Sequence, residues 1–120
     1  MKKEIHPAVR RICEYIDLHL TEDLSYRQLK EHLQLSQYDL TGRFPKYTGF
    51  TLTNYIIHRR LELVISKVLK GSRLETAVYR SGFNTYSHFY KEFRTHYGTA
   101  PRDYFTVLRN KNSNKKTTTR

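Results

Sequence analysis

Apolar residues recur at spacings of three and four along most of this chain, and the recurrence breaks at short polar stretches. Ile5, Val9, Ile12, Cys13, Ile16 and Leu20 keep that spacing, with Pro7 where a first turn tolerates it, so the pattern predicts a helix over roughly 7 to 20. Thr21, Glu22 and Asp23 interrupt it. Ser25 with Gln28 then reads as a capping box and Leu24 with Leu29 as its hydrophobic staple, starting a second helix that ends near Leu33. Ser36 caps again, with Asp39 at the third position and Leu35 stapling onto Leu40, so a third helix follows after a very short turn. Thr51 caps a longer helix over 52 to 70, with Phe50 stapled to Tyr55, and with Ile56, Leu61, Val64, Ile65, Val68 and Leu69 buried; Gly71 stops it. Ser72 with Glu75 opens a fifth helix carrying Ala77 and Val78, Gly82 makes the corner after it, and Asn84 or Thr85 caps a sixth. Pro101 opens the last, through Tyr104, Phe105 and Leu108. The expectation is an all-α fold of about seven helices.

In the sixth helix a spacing of four sets Phe89, Phe93 and Tyr97 on one buried aromatic face. The opposite face runs through Ser87, Lys91 and Arg94, flanked by Tyr86, His88 and Tyr90, and carries many donors and almost no carboxylate. A helix anchored on one side and donor-rich on the other suits a DNA major groove, as in a helix-turn-helix; an ordinary amphipathic hairpin with a solvated basic face has the same spacing. The unit occurs twice. Leu40 and Phe44 match Phe89 and Phe93, which sets Ser36 against Thr85, Tyr38 against Ser87 and Gly49 against Gly98. The expected organisation is a helix-turn-helix subdomain over 1–49, a linker helix over 50–71, a second helix-turn-helix subdomain over 72–108 and a disordered basic tail over 109–120. Residues 52 to 70 span about 28 Å at about 1.5 Å per residue, against about 34 Å between successive major-groove faces.

Composition narrows the partners. A formal net charge of +11 over 120 residues favours a polyanion, nucleic acid first and an anionic membrane second. No apolar run reaches the length of a membrane span and MKKEIHPAVRR lacks the apolar stretch of a signal peptide, so a cytoplasmic protein is expected. The single Cys13 excludes an internal disulfide and a multi-cysteine zinc site, and core packing is its expected role. The six histidines form no H-E-x-x-H and His88 and His96 lie eight apart; there is no Gly-rich phosphate loop and no G-x-S-x-G. An enzyme, a metal site or a cofactor is therefore not expected.

The chain resembles the DNA-binding domain of the AraC/XylS family of bacterial transcription regulators, and in size its short stand-alone members. The residues that carry the resemblance are S-x-x-x-L from Ser25 to Leu29, S-x-x-x-L-x-x-x-F-x₄-G from Ser36 to Gly49, Y-I-x₃-R-L from Tyr55 to Leu61, and G-F-x₃-S-x-F-x₃-F-x₄-G-x-x-P-x-x-Y from Gly82 to Tyr104. The resemblance implies two homeodomain-like helix-turn-helix units joined by a long helix, binding asymmetric double-stranded DNA as a monomer and often activating transcription by contacting RNA polymerase. Carried over by position, the base-reading candidates are Gln37, Tyr38 and Thr41 in the first unit and Tyr86, Ser87, Tyr90 and Lys91 in the second. The phosphate candidates are Ser36, Lys46, Arg59, Thr85 and Arg94.

Several positions depart from the family pattern. Gly42 stands where the family often has a long polar residue, and Pro45 follows the phenylalanine, so the third helix is expected to kink and the first unit to position more than it reads. Lys30 stands for a small alanine and Phe105 for an arginine. Tyr86 is either a rim residue of the core or a groove reader. His58, Arg59 and Arg60 on the linker helix either touch phosphate or are only solvated. Two further function readings remain open from the residues: a sequence-neutral architectural DNA binder, and the DNA-binding output fragment of a larger effector-sensing regulator. If the chain is complete, control by abundance is expected.

Overall fold

A computed structural model describes residues 5–118, with side chains to residue 111, and every element among them is helical. The chain divides into two compact units, Met1–Phe83 and Asn84–Arg120.

The first unit holds α1 (Pro7–Leu18), α2 (Tyr26–Leu33), α3 (residues 37–48), α4 (Leu52–Leu69) and α5 (Leu74–Tyr79). Val9, Ile12 and Ile16 of α1, Leu29 and Leu33 of α2, Leu40 and Phe44 of α3, and Leu52 and Ile56 of α4 form one buried cluster, with Leu20 and Leu24 closing it from the α1–α2 connection. Cys13 packs half-buried against this cluster, and burial pushes its thiol up from the ordinary value, in keeping with a core role. The caps follow the sequence signals in most places. The Thr51 hydroxyl accepts from the Asn54 amide at 3.2 Å, and the Phe50 and Tyr55 rings meet at 6.3 Å between centroids. Two capping boxes form differently. The Ser25 hydroxyl accepts from the Gln28 amide, but the Ser25 amide donates to Asp23, which is closer along the chain. At α5 the cap position is Arg73, with no side-chain bond, because the Ser72 amide turns back to the Lys67 carbonyl and closes the end of α4.

Helix α3 does not break at Pro45. Asp39–Arg43 form a π-helical turn, in which the Phe44 amide donates to the Asp39 carbonyl five residues back, and α-helix resumes over Phe44–Thr48. In a plain α-helix the Pro45 ring would press on the Thr41 carbonyl and leave it without a donor. The wider turn placed just before the proline absorbs that conflict, so the helix ends in order at Gly49, whose left-handed backbone lets its amide reach the Pro45 carbonyl at 2.9 Å.

The second unit holds α6 (Tyr86–Tyr97) and α7 (Pro101–Thr118). Phe93 of α6 is buried among Tyr97, Tyr104 and Phe105, with ring centroids 4.6, 5.3 and 6.4 Å away. Phe105 is thus a core residue where the family pattern has arginine. Gly98 ends α6 as Gly49 ends α3, with a φ of 75° against 80°. The sequence places a mobile tail after Leu108, whereas α7 runs on to Thr118; residues 119–120 lie outside the described residues. No glycine or proline interrupts 109–118, and a helix already nucleated at Pro101 extends one residue at a time.

Candidate nucleic-acid interface

The exposed face of α3 begins at a complete capping box. The Ser36 hydroxyl accepts from the Asp39 amide and the Asp39 carboxylate accepts from the Ser36 amide, both at 3.1 Å, while Arg43 Nη1 donates to the other carboxylate oxygen at 2.6 Å. Burial opposes the charge on Asp39, but its hydrogen bonds with Ser36 and the Arg43 guanidinium outweigh burial and hold the carboxyl below its ordinary value. Ser36, a phosphate candidate by position, therefore spends its amide on Asp39. Gln37, Tyr38, Thr41 and Lys46 are all exposed. The Thr41 hydroxyl donates to the Gln37 carbonyl at 3.0 Å, which ties it to its own helix.

A carboxyl with a depressed folded value stabilises the fold above the ordinary carboxylate range and loses that contribution as pH falls through the folded value. Asp39→Ala is accordingly expected to cost about 2 kcal/mol at neutral pH, from lost hydrogen bonds to a charged group. The gap between variant and parent closes as the medium is acidified below about pH 4. Urea unfolding of both chains at pH 7 and pH 3 measures it.

In α6 the Thr85 hydroxyl accepts from the His88 amide at 3.1 Å, and no acidic residue occupies the first turn, unlike α3. This helix start keeps its positive end uncompensated by a carboxylate, which suits a phosphate. Ser87, Lys91 and Arg94 are exposed on the side away from the buried Phe89 and Phe93, with Tyr90 exposed at its flank. Tyr86 is half-buried with its ring on Phe89, centroids 5.3 Å apart, so the structure places it at the rim of the core rather than on the outward face. Glu92 lies between His88 and His96, 3.5 and 3.9 Å from their Nε2 atoms.

Helices α3 and α6 thus each bury an apolar stripe and offer donors outward. Residues 29–106 match the helix-turn-helix domain family. This chain belongs to that family and is of the AraC type. The "XylDLEGF operon transcriptional activator 2" of Pseudomonas putida is 32% identical over 104 residues, covering 83% of this chain and 66% of that protein. Other curated relatives share less of their length, 32% in one from Salmonella typhimurium and 13% in one from Staphylococcus aureus, so the chain spans less than two thirds of them. Among solved structures, the C-terminal domain of AraT, a response regulator from Geobacillus stearothermophilus, superposes with a TM-score of 0.80 at 23% identity over 88% of each chain. A probable AraC family transcriptional regulator from Rhodopseudomonas palustris gives 0.68 at 20%, over 80% of this chain and 92% of that one. These likenesses establish the all-helical fold. No helix of this helix-turn-helix protein is long and apolar enough, among the described residues, to cross a membrane.

Of the cations offered by the sequence, Arg59 and Arg60 on α4 are bonded inside the domain. Arg59, a phosphate candidate, donates from Nε to Asp17 at 2.8 Å and from Nη1 to Glu62 at 2.6 Å, and the hydrogen bond to Asp17 raises its pKa. Two carboxylates already neutralise it. Arg60 donates from Nε to the Leu20 carbonyl at 2.7 Å and from Nη2 to the Glu22 carbonyl at 2.9 Å, and burial lowers its pKa. His58 lies 3.3 Å from Glu62. Arg59 thus ties α4 to α1, and Arg60 ties it to the α1–α2 connection. Lys30, in place of a small residue, is exposed and borders an open groove of about 290 Å³ with Tyr26, Arg27, Glu31 and Gln37. The residue that position-by-position reasoning missed is Arg43. Its one signal in the sequence is the neighbouring pair Gly42 and Pro45, which foretells an irregular helix without saying of what kind.

Proposed function

We propose that this chain is a sequence-specific DNA-binding transcription regulator that inserts α3 and α6 into neighbouring major grooves. The observation that carries the reading is the outward face of α6: Ser87, Tyr90, Lys91 and Arg94 exposed behind the buried Phe89 and Phe93, on a helix start free of carboxylates, in a chain of the AraC type. Ser87, Tyr90 and Lys91 read base edges, and Thr85 and Arg94 meet phosphates. Gln37, Tyr38 and Thr41 face the first groove, with Lys46 toward its backbone; Arg59 leaves the phosphate set because Asp17 and Glu62 hold it.

Activation is supported by the Pseudomonas putida relative, an operon transcriptional activator; binding as a monomer in the cytoplasm and contact with RNA polymerase belong to the same proposal. The shares of the relatives' lengths that the chain spans equally suit an output unit joined, in those proteins, to further sequence.

Selection of sites from a random duplex pool at near-physiological salt tests the proposal. Enrichment of an asymmetric site with two boxes about ten base pairs apart is the expected result. The affinity for that site should fall steeply with salt, because Lys and Arg contacts release counterions. No enriched sequence, with equal affinity for unrelated duplexes, would instead make the chain an architectural binder.

A further inference from the structure

Gly42 leaves α3 without a long side chain at the outward position four residues after Tyr38, and the π-helical turn supplies one from the next residue. In an α-helix, positions five apart point about 140° away from each other. In a π-helical turn they are the hydrogen-bonded pair and lie one above the other. Across Asp39–Arg43 the result is direct: the Arg43 guanidinium carbon sits 5.0 Å from the centroid of the exposed Tyr38 ring. Gly42 is what lets that ring lie against the helix, since a Cβ there would meet Tyr38 Cε1 at 2.5 Å and Cδ1 at 2.6 Å. Asp39, held by its own cap, takes Arg43 Nη1 at 2.6 Å.

We propose that Arg43, set between the Tyr38 ring and the Asp39 carboxylate, is the residue with which the first unit reads guanine in the DNA major groove. The inference rests on the DNA-reading function proposed above. A guanidinium has five donors in a rigid fork, and Asp39 engages one nitrogen, so the rest of the fork is left to an outside acceptor with its orientation already set. Guanine presents two adjacent acceptors, O6 and N7, that match such a fork. The ion pair also decides against a phosphate role. With Asp39 beside it, Arg43 brings little net charge to the backbone, while its donors keep their direction. The first unit therefore reads sequence despite Gly42, and it does so because of Gly42.

The test uses the full chain, the duplex it enriches from a random pool, and single-base variants of that duplex. Arg43→Gln combined with Asp39→Asn keeps the local charge balance and removes the guanidinium. This double variant is expected to lose about tenfold or more of discrimination at one G·C pair in one box. The second box and the slope of log affinity against log salt should stay unchanged. Gly42→Ala, shown folded by far-UV circular dichroism, should lose preference at the same pair because the Tyr38 ring must move. Unaltered discrimination at every position in either folded variant overturns the proposal. So does an equal weakening on all duplexes with a shallower salt slope, which would make Arg43 a phosphate contact. Failure of the parent chain to enrich any sequence refutes the DNA-reading function itself, a result separate from these.

Discussion

Gly82→Ala is expected to lower the stability of the first unit by about 3 kcal/mol or more, the sum of a strained backbone and a steric conflict inside a packed region. Gly82 has a φ of 103°, and a Cβ there would run into the Leu20 carbonyl oxygen and come within 2.6 Å of Arg60 Nε. Those two atoms are already joined by a 2.7 Å hydrogen bond, so neither has room to retreat. The same small volume holds the start of the α1–α2 connection, the middle of α4 and the turn after α5, which is why one methyl group is felt by all three. For a domain of this size each kcal/mol corresponds to about 4–8 °C, so a drop in Tm of more than about 10 °C is anticipated by calorimetry. A Tm within 2 or 3 degrees of the parent, roughly the span of a surface substitution, would mean that the Leu20–Arg60–Gly82 junction can relax.

Lys91→Ala is expected to relax base preference at one position of the site by about 1–3 kcal/mol, a factor of roughly 5 to 150. Lys91 is exposed on α6, one turn after Ser87, opposite the buried Phe89 and Phe93, so its removal leaves the packing untouched. Its side chain can address guanine O6 and N7. Competition binding with each base substituted in turn reads out the loss. Equal weakening on every sequence, with a salt slope shallower by about one, would assign Lys91 to a phosphate instead.

The two groups of cations show where sequence reasoning holds and where it stops. On α6 the spacing of the aromatic residues fixes which side is buried, so the opposite side follows, and Ser87, Lys91 and Arg94 are found exposed as the pattern requires. On α4 the spacing says only that Arg59 and Arg60 lie off the apolar face. Their partners, Asp17, Leu20 and Glu22, are about forty residues away in the chain and belong to another helix and its connection. No local pattern contains them. The capping boxes divide the same way. Ser36 and Asp39 form theirs, whereas Ser72 does not, because its amide finishes the turn at Gly71 that ends the preceding helix.

What the sequence by itself determined is the set of helices, most of their ends and the faces they bury. These depend on residues one to four positions apart, through side-chain caps, glycine turns and apolar spacing. Only the tertiary structure decided which charges remain for an outside partner: two carboxylates hold Arg59 and two carbonyls hold Arg60, whereas Asp39 takes a single nitrogen of Arg43. It also decided the register of α3. Gly42 and Pro45 announce that a regular helix is costly there, but a kink, a break and a π-helical turn all answer that cost locally. The fold takes the π-helical turn, with Leu40 and Phe44 both fully buried in the core of the first unit and the half-buried Arg43 lying over Tyr38.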